Sequence, residues 1–189
     1  MKFKFFVACL YFIIHTGTIF SQVSYGVLVG ANYNDMYRTI QPKRTGDLTQ
    51  PYESAFDYTL GVMGSIKPYK FLGLESTLQY QRLSRTIDDK SYSQPYLMLS
   101  LSPQLYLSPH FRILGGVSSG FILKETYPDM NKWHNIGHFG FGILAGKFLI
   151  DARFMHSIGA FWQETIPSYT LNYHHRAVQV SIGYYLWKK

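Results

Sequence analysis

One cysteine in 189 residues, Cys9, has no partner in the chain, so a disulfide framework and thiol chemistry are excluded from the body of the protein. No stretch reaches the ~18 apolar residues that a transmembrane helix requires. Charge is sparse as well, with Asp, Glu, Lys and Arg together at 15 %. The formal net charge is +7, and Lys2 and Lys4 supply two of those charges. A balance so modest could favour anionic lipid headgroups, but it reads as ordinary loop composition, and no nucleic-acid partner is expected. What the chain has in abundance is aromatic residues, at 17 % with sixteen tyrosines.

The N-terminus carries Lys2 and Lys4, an apolar run from Phe5 to Ile14, and small or polar residues up to Ser21. This is the pattern of a secretory signal peptide over residues 1–21, with cleavage expected between Ser21 and Gln22. A lipoprotein reading at Cys9 fails because too few apolar residues precede it. Residues 22–189 then form one domain.

Those residues divide into eight stretches of two-residue alternation. The expected strands are 22–33, 55–67, 71–83, 92–107, 111–123, 136–145, 148–160 and 173–187. In the fourth, Leu97, Leu99, Leu101 and Leu105 alternate with Met98, Ser100, Ser102 and Gln104. Pro103 interrupts that ladder, so a bulge or a hydrogen-bond gap is expected there. Short turns at Pro68–Lys70, Ser108–His110 and Gly146–Lys147 alternate with longer connections at 34–54, 84–91, 124–135 and 161–172. Across Gly146–Lys147, Ala145 faces Phe148, and both are apolar. Across Pro68–Lys70, Lys67 faces Phe71, which is the exception to face matching.

Alternation alone does not say which face meets water. A water-facing strand normally carries Lys and Glu, whereas the polar face here is mostly Gly, Ser, Thr and Gln. Small neutral side chains suit the crowded lumen of an eight-stranded barrel. The expected fold is an all-β, eight-stranded, antiparallel up-and-down transmembrane β-barrel. Its expected location is the bacterial outer membrane, with both termini periplasmic.

Three stretches, Tyr96-Leu97-Met98-Leu99-Ser100-Leu101-Ser102-Pro103, Ile113-Leu114-Gly115-Gly116-Val117 and Ile150-Asp151-Ala152-Arg153-Phe154, resemble the PorT-like family of small outer-membrane barrels of the Bacteroidota type. The Ser21-Gln22 junction and the closing Gly183-Tyr184-Tyr185-Leu186-Trp187 are similar to that family too. The two lysines after Trp187 depart from a terminal aromatic. The resemblance implies fold and location, and a link to protein secretion. It also implies a C-terminal insertion signal at Gly183, Tyr185 and Trp187, read by the barrel-assembly machinery.

Charges expected on the lumenal face are Asp57, Lys67, Glu75, Arg112, Asp151 and Arg153. Charges away from bulk water must pair. Counting from the short turns sets Glu75, Asp151 and Arg153 at similar heights, so these three should cluster, with Arg112 below them. The cluster is read as structural, plugging the lumen; a gating or conducting role is the other reading.

Candidate chemistry is thin. His156-Ser157 superficially resembles the active-site strand of outer-membrane lipid A deacylases. Those enzymes need His and Ser two residues apart on one face, and here Ile158 occupies that place. His134 with His138, and His174 with His175, lack the three or four convergent groups of a metal site. Gly137–Gly142 has no following helix to receive a phosphate. Gln41-Pro42-Lys43-Arg44 is a basic loop within reach of lipopolysaccharide phosphates. The expectation is therefore a non-enzymatic structural or interaction module of the envelope, without cofactor, catalytic residue or metal. Its expected partners are outer-membrane lipids, lipopolysaccharide and envelope or secretion proteins. The alternatives are a lipid-modifying enzyme, whether hydrolase or acyltransferase, and a narrow solute channel.

Overall fold

The computed structural model describes residues 22–41, 54–87, 90–124, 133–160, 162–166 and 169–188. The signal-peptide reading of 1–21, the basic residues 42–44, and loop residues 45–53 and 125–132 lie outside them. The strands are β1 (Gln22–Gln41), β2 (Ala55–Lys67), β3 (Leu72–Ile87), β4 (Lys90–Tyr106), β5 (Phe111–Ile122), β6 (Trp133–Ala145), β7 (Phe148–Ser157), β8 (Trp162–Ile166) and β9 (Tyr169–Lys188). Every pairing is antiparallel. Seven strands follow in sequence order, β7 pairs with β9, and β9 closes on β1. Among the described residues β8 pairs only with the start of β9, as an outlying hairpin. The result is a closed eight-stranded antiparallel barrel, β1 to β7 plus β9.

Closure works because each hairpin keeps like faces together. Gly146 takes a positive φ of 62°, which lets a two-residue turn set Ala145 opposite Phe148. Ser108 Oγ accepts from the His110 and Phe111 amides and tightens the β4–β5 turn. The expected Lys67–Phe71 rung does not form. Ile66 pairs with Leu74 instead, a shift of two residues that keeps every side chain on its face and leaves Phe71 in the turn, outside the β2–β3 ladder.

Pro103 leaves a gap rather than a bulge. β4 and β5 pair at Leu101–Val117 and again at Gln104–Leu114 in one unbroken register, with nothing paired between. Gly116 fits that gap, where a Cβ would stand 2.0 Å from the Leu101 carbonyl oxygen. A register shift lies elsewhere, between Tyr25 and Gly26 against β9. It passes over Leu186, so Tyr185 points inward while Trp187 turns outward and stacks on Tyr25 at 5.7 Å.

The strands overrun the predicted ends on the long-loop side. β1 continues eight residues past Tyr33, and β3 and β4 pair up to Ile87–Lys90, where a loop over 84–91 was expected. Lipid alternation stops there, because both faces of the ladder can be polar, but backbone pairing does not.

The barrel is apolar outside and polar inside. Val29, Leu60, Leu97, Leu99, Leu101, Phe139, Ile150, Val180 and Ile182 are exposed, while Thr59, Thr77, Gln79, Ser100, Ser102, Ser118, Gln179 and Ser181 are buried. Aromatic pairs mark both margins of the apolar girdle. Tyr25–Trp187 and Phe148–Tyr184 lie toward the short turns, and Tyr33–Phe56 and Phe121–Trp133 toward the long loops. From Tyr25 to Tyr33 along β1 is nine residues, counted inclusively. A tilted transmembrane strand needs about 9–11. A continuous apolar girdle of this size has no place on a soluble monomer, whose patches stay within a few hundred Å².

Candidate functional site

The lumen, built from the small side chains of the polar face, converges on four charges. Glu75 of β3, Arg112 of β5, and Asp151 and Arg153 of β7 form a closed ring of opposite signs. Glu75 Oε1 lies 2.7 Å from Arg153 Nη2, and Glu75 Oε2 lies 2.9 Å from Arg112 Nη1. Arg112 Nη2 donates to both Asp151 oxygens at 3.0 and 2.8 Å. Arg153 Nη2 completes the ring on Asp151 Oδ2 at 2.7 Å. Glu75 and Arg112 are 0 % exposed. The ring is neutral and each guanidinium touches both carboxylates, the arrangement that offsets desolvation of four ions.

Topology explains the meeting. β3 and β7 are four places apart around eight strands, so Glu75 and Arg153 reach toward each other across the lumen. Arg112, Gly142 and Asp151 lie on one rung of β5, β6 and β7. Gly142 is the opening that lets Arg112 cross β6: a Cβ there would lie 2.1 Å from Asp151 Oδ1 and 2.9 Å from Arg112 Nε. Arg112 therefore stands within the ring and not beneath it, contrary to the expectation from turn counting. Strand tilt staggers the turns around the barrel, so residues equally far from their turns are not equally high.

Neutral polar groups extend the network. Gln179 Nε2 donates to Gln79 Oε1 at 3.0 Å, and Thr59 and Gln81 donate to the same oxygen. His138 sits between Ser102 and Ser118, at 2.8 and 3.0 Å. Two apolar clusters break up this polar interior. Leu28, Met63, Leu144, Leu149 and Tyr185 pack together in one, and Met98, Ile136, Met155 and Ala177 in the other. Leu144 and Leu149 are inward by simple alternation with Ile143 and Ile150, a signal obscured because their hairpin is apolar on both faces.

Asp57, expected as a lumenal charge, accepts from Asn34 Nδ2 at 2.8 Å and from the Ser84 amide and hydroxyl, both at 2.6 Å. Lys67 stands at the rim, 3.8 Å above the Tyr106 ring. Gly183 and Tyr185 face inward and Trp187 outward, so the three proposed insertion residues do not share a face.

His156 and Ser157 point to opposite faces. His156 meets the Tyr37 hydroxyl at 3.0 Å outside, while Ser157 is buried. Sequence reasoning missed the actual neighbour of Ser157, which is His134 of β6 at 2.9 Å. Ser157 Oγ also donates to the His175 carbonyl and accepts from the His175 amide. Its proton is thus committed to backbone, so the pair caps the end of the β7–β9 ladder and does not make a nucleophile with its base. His174 stacks on Tyr37 outside, while His175 is buried and bonds Asn34 at 3.2 Å. No set of three potential metal-binding side chains converges among the described residues.

Neither a protein-family model nor a curated protein matches this chain. Solved structures match by shape. The outer-membrane protein Ail of Yersinia pestis, in complex with the heparin analogue sucrose octasulfate, aligns with TM-score 0.50 and 10 % identity over 88 % of this chain and 99 % of that one. OprG of Pseudomonas aeruginosa aligns with TM-score 0.44 and 13 % identity over 88 % and 95 % of the two chains. The likeness to Ail is one of fold: a small eight-stranded barrel of the outer-membrane type.

Proposed function

We propose that this protein is an integral barrel of a bacterial outer membrane that acts as a non-enzymatic, non-conducting structural or interaction module of the envelope. The observation that carries the reading is the neutral ring of Glu75, Arg112, Asp151 and Arg153 across a barrel whose outside is apolar. A water-filled pore keeps its charges solvated, whereas these are sealed against each other and backed by the apolar cluster around Met63 and Leu149. Against the alternative of a lipid-modifying enzyme, the serines beside histidines among the described residues are closed off: Ser157 is committed to backbone, and Ser102 beside His138 is fully buried.

In this reading residues 1–21 direct export and are removed, and residues 22–189 insert through a signal at Gly183, Tyr185 and Trp187. The short turns and both ends of the domain lie in the periplasm, the usual asymmetry of such barrels. The long-loop end meets lipopolysaccharide. The PorT-like resemblance of the strand motifs supports a role beside secretion or envelope proteins.

Reconstitution into planar lipid bilayers is the test. The wild-type chain is expected to give no stepwise conductance at moderate voltage. Discrete channels seen with the wild type would replace the module reading with the solute-channel one.

A further inference from the structure

At the short-turn end the barrel opens into a cavity of about 260 Å³ whose wall includes Ser24, Ser65, Lys67, Tyr106, Tyr185 and Lys188. It is blind. Tyr185 and Leu144, both on its wall, belong to the apolar cluster with Leu28, Met63 and Leu149, and the charge ring lies in the same lumen. What enters from this end is held there and not passed on.

The wall is rich in donors and poor in acceptors. No carboxylate lines it, and neither lysine has an acidic partner among the described residues. Lys67 rests on the Tyr106 ring at 3.8 Å, a contact that holds the ammonium in place without using its protons. Lys188 gives one proton to the Gly146 carbonyl at 3.1 Å, which leaves two, and sits 5.6 Å from the centre of the Tyr185 ring. Ser24 and Ser65 hydrogen-bond to each other at 3.0 Å, and Ser65 also bonds the Tyr185 hydroxyl, so three hydroxyl protons serve two bonds and one is left to donate. Two ammonium groups on one small cavity repel each other until an anion joins them.

We infer that this cavity is a binding site for a small organic dianion, a phosphate monoester above all, clasped between Lys67 and Lys188 with a hydroxyl of the Ser24, Ser65 and Tyr185 chain as a further donor. Lysine is a point-charge phosphate ligand, and the Tyr106 and Tyr185 rings form apolar walls for the body of the molecule. The phosphate could belong to a soluble monoester or to phosphatidic acid in the adjoining leaflet, whose headgroup is itself a phosphate monoester. The shared chemistry is the same.

The test is calorimetric titration of the full chain in phosphatidylcholine nanodiscs with glycerol 3-phosphate, inorganic phosphate, succinate and neutral glycerol. Saturable binding of glycerol 3-phosphate is expected, with none for glycerol. Lys67→Gln and Lys188→Gln should each weaken it about tenfold, the scale of one hydrogen bond to a charged group. Lys70→Gln, a lysine in the neighbouring turn that does not line the cavity, should leave it unchanged. Repeating the titration in nanodiscs of phosphatidylcholine with phosphatidic acid separates the sources. Loss of the signal there identifies the lipid headgroup as the occupant, and an unchanged signal identifies a soluble ligand. Absence of saturable binding by any anion in phosphatidylcholine, or equal weakening by Lys70→Gln, overturns the site. Neither result bears on conductance, so this proposal can fail while the module reading stands.

Discussion

Glu75→Gln is expected to destabilise the folded barrel by about 3–5 kcal/mol, the cost of breaking a buried ion pair from one side. The change leaves Arg112 and Arg153 facing Asp151 alone, a net positive charge sealed among residues that are almost fully buried. Glu75→Gln combined with Arg153→Met should cost less than Glu75→Gln by itself. The double variant retains Arg112 on Asp151 through its two contacts, a neutral pair that needs no further partner. Urea unfolding in detergent micelles, followed by the heat-modifiable shift in gel mobility, measures all four corners of this cycle. Additive losses would mean that the lumen is held by shape and neutral hydrogen bonds, with the ring contributing no coupling.

Leu99→Arg should cost about 2–4 kcal/mol, the penalty for a cation on the lipid face near the bilayer midplane. Leu99 is 56 % exposed and sits in the middle of the run Leu97, Leu99 and Leu101 on β4. In water an exposed leucine tolerates arginine at little expense, so the size of the loss reports the solvent. Refolding yield and unfolding midpoint in lipid vesicles measure it, with Leu107→Arg at the short-turn rim as the shallow control. Similar small losses at both positions would argue that water, not lipid, surrounds the girdle.

Much of this architecture was legible because a barrel in lipid obeys two simple rules. Period-two alternation placed β2 at residues 55–67 without error, and face matching across Gly146–Lys147 placed the β6–β7 turn. At Lys67–Phe71 the same rule was blind, because the observed register differs from the expected one by two residues and both keep the same faces together. Beyond the lipid the rules lapse. Nothing in Asn34–Gln41 alternates by polarity, so the outer part of β1 looked like loop, and the β8 hairpin with the first four residues of β9, Tyr169–Asn172, fell within the expected loop over 161–172.

The charged site was legible by sign and parity, not by height. Glu75, Arg112, Asp151 and Arg153 fall on inward positions and sum to zero, which predicts that they pair. That Arg112 joins the ring depends on the stagger of β5 against β7 and on the absent side chain of Gly142, and neither is local to Arg112. Leu144 and Leu149 were passed over as lumen residues because an apolar side chain on a polar face looks like noise until its neighbours are known.

The central claim is a barrel turned apolar side out, and β4 tests it most directly. In a Cys9→Ser chain inserted into vesicles, single cysteines are placed in turn at 97, 98, 99, 100, 101 and 102. Each is challenged with a lipid-phase maleimide and with a charged, water-soluble one. The account predicts lipid-phase labelling at 97, 99 and 101, with 98, 100 and 102 silent to that reagent. Lipid-phase labelling at the even positions, or aqueous labelling at 97, 99 and 101, would contradict it.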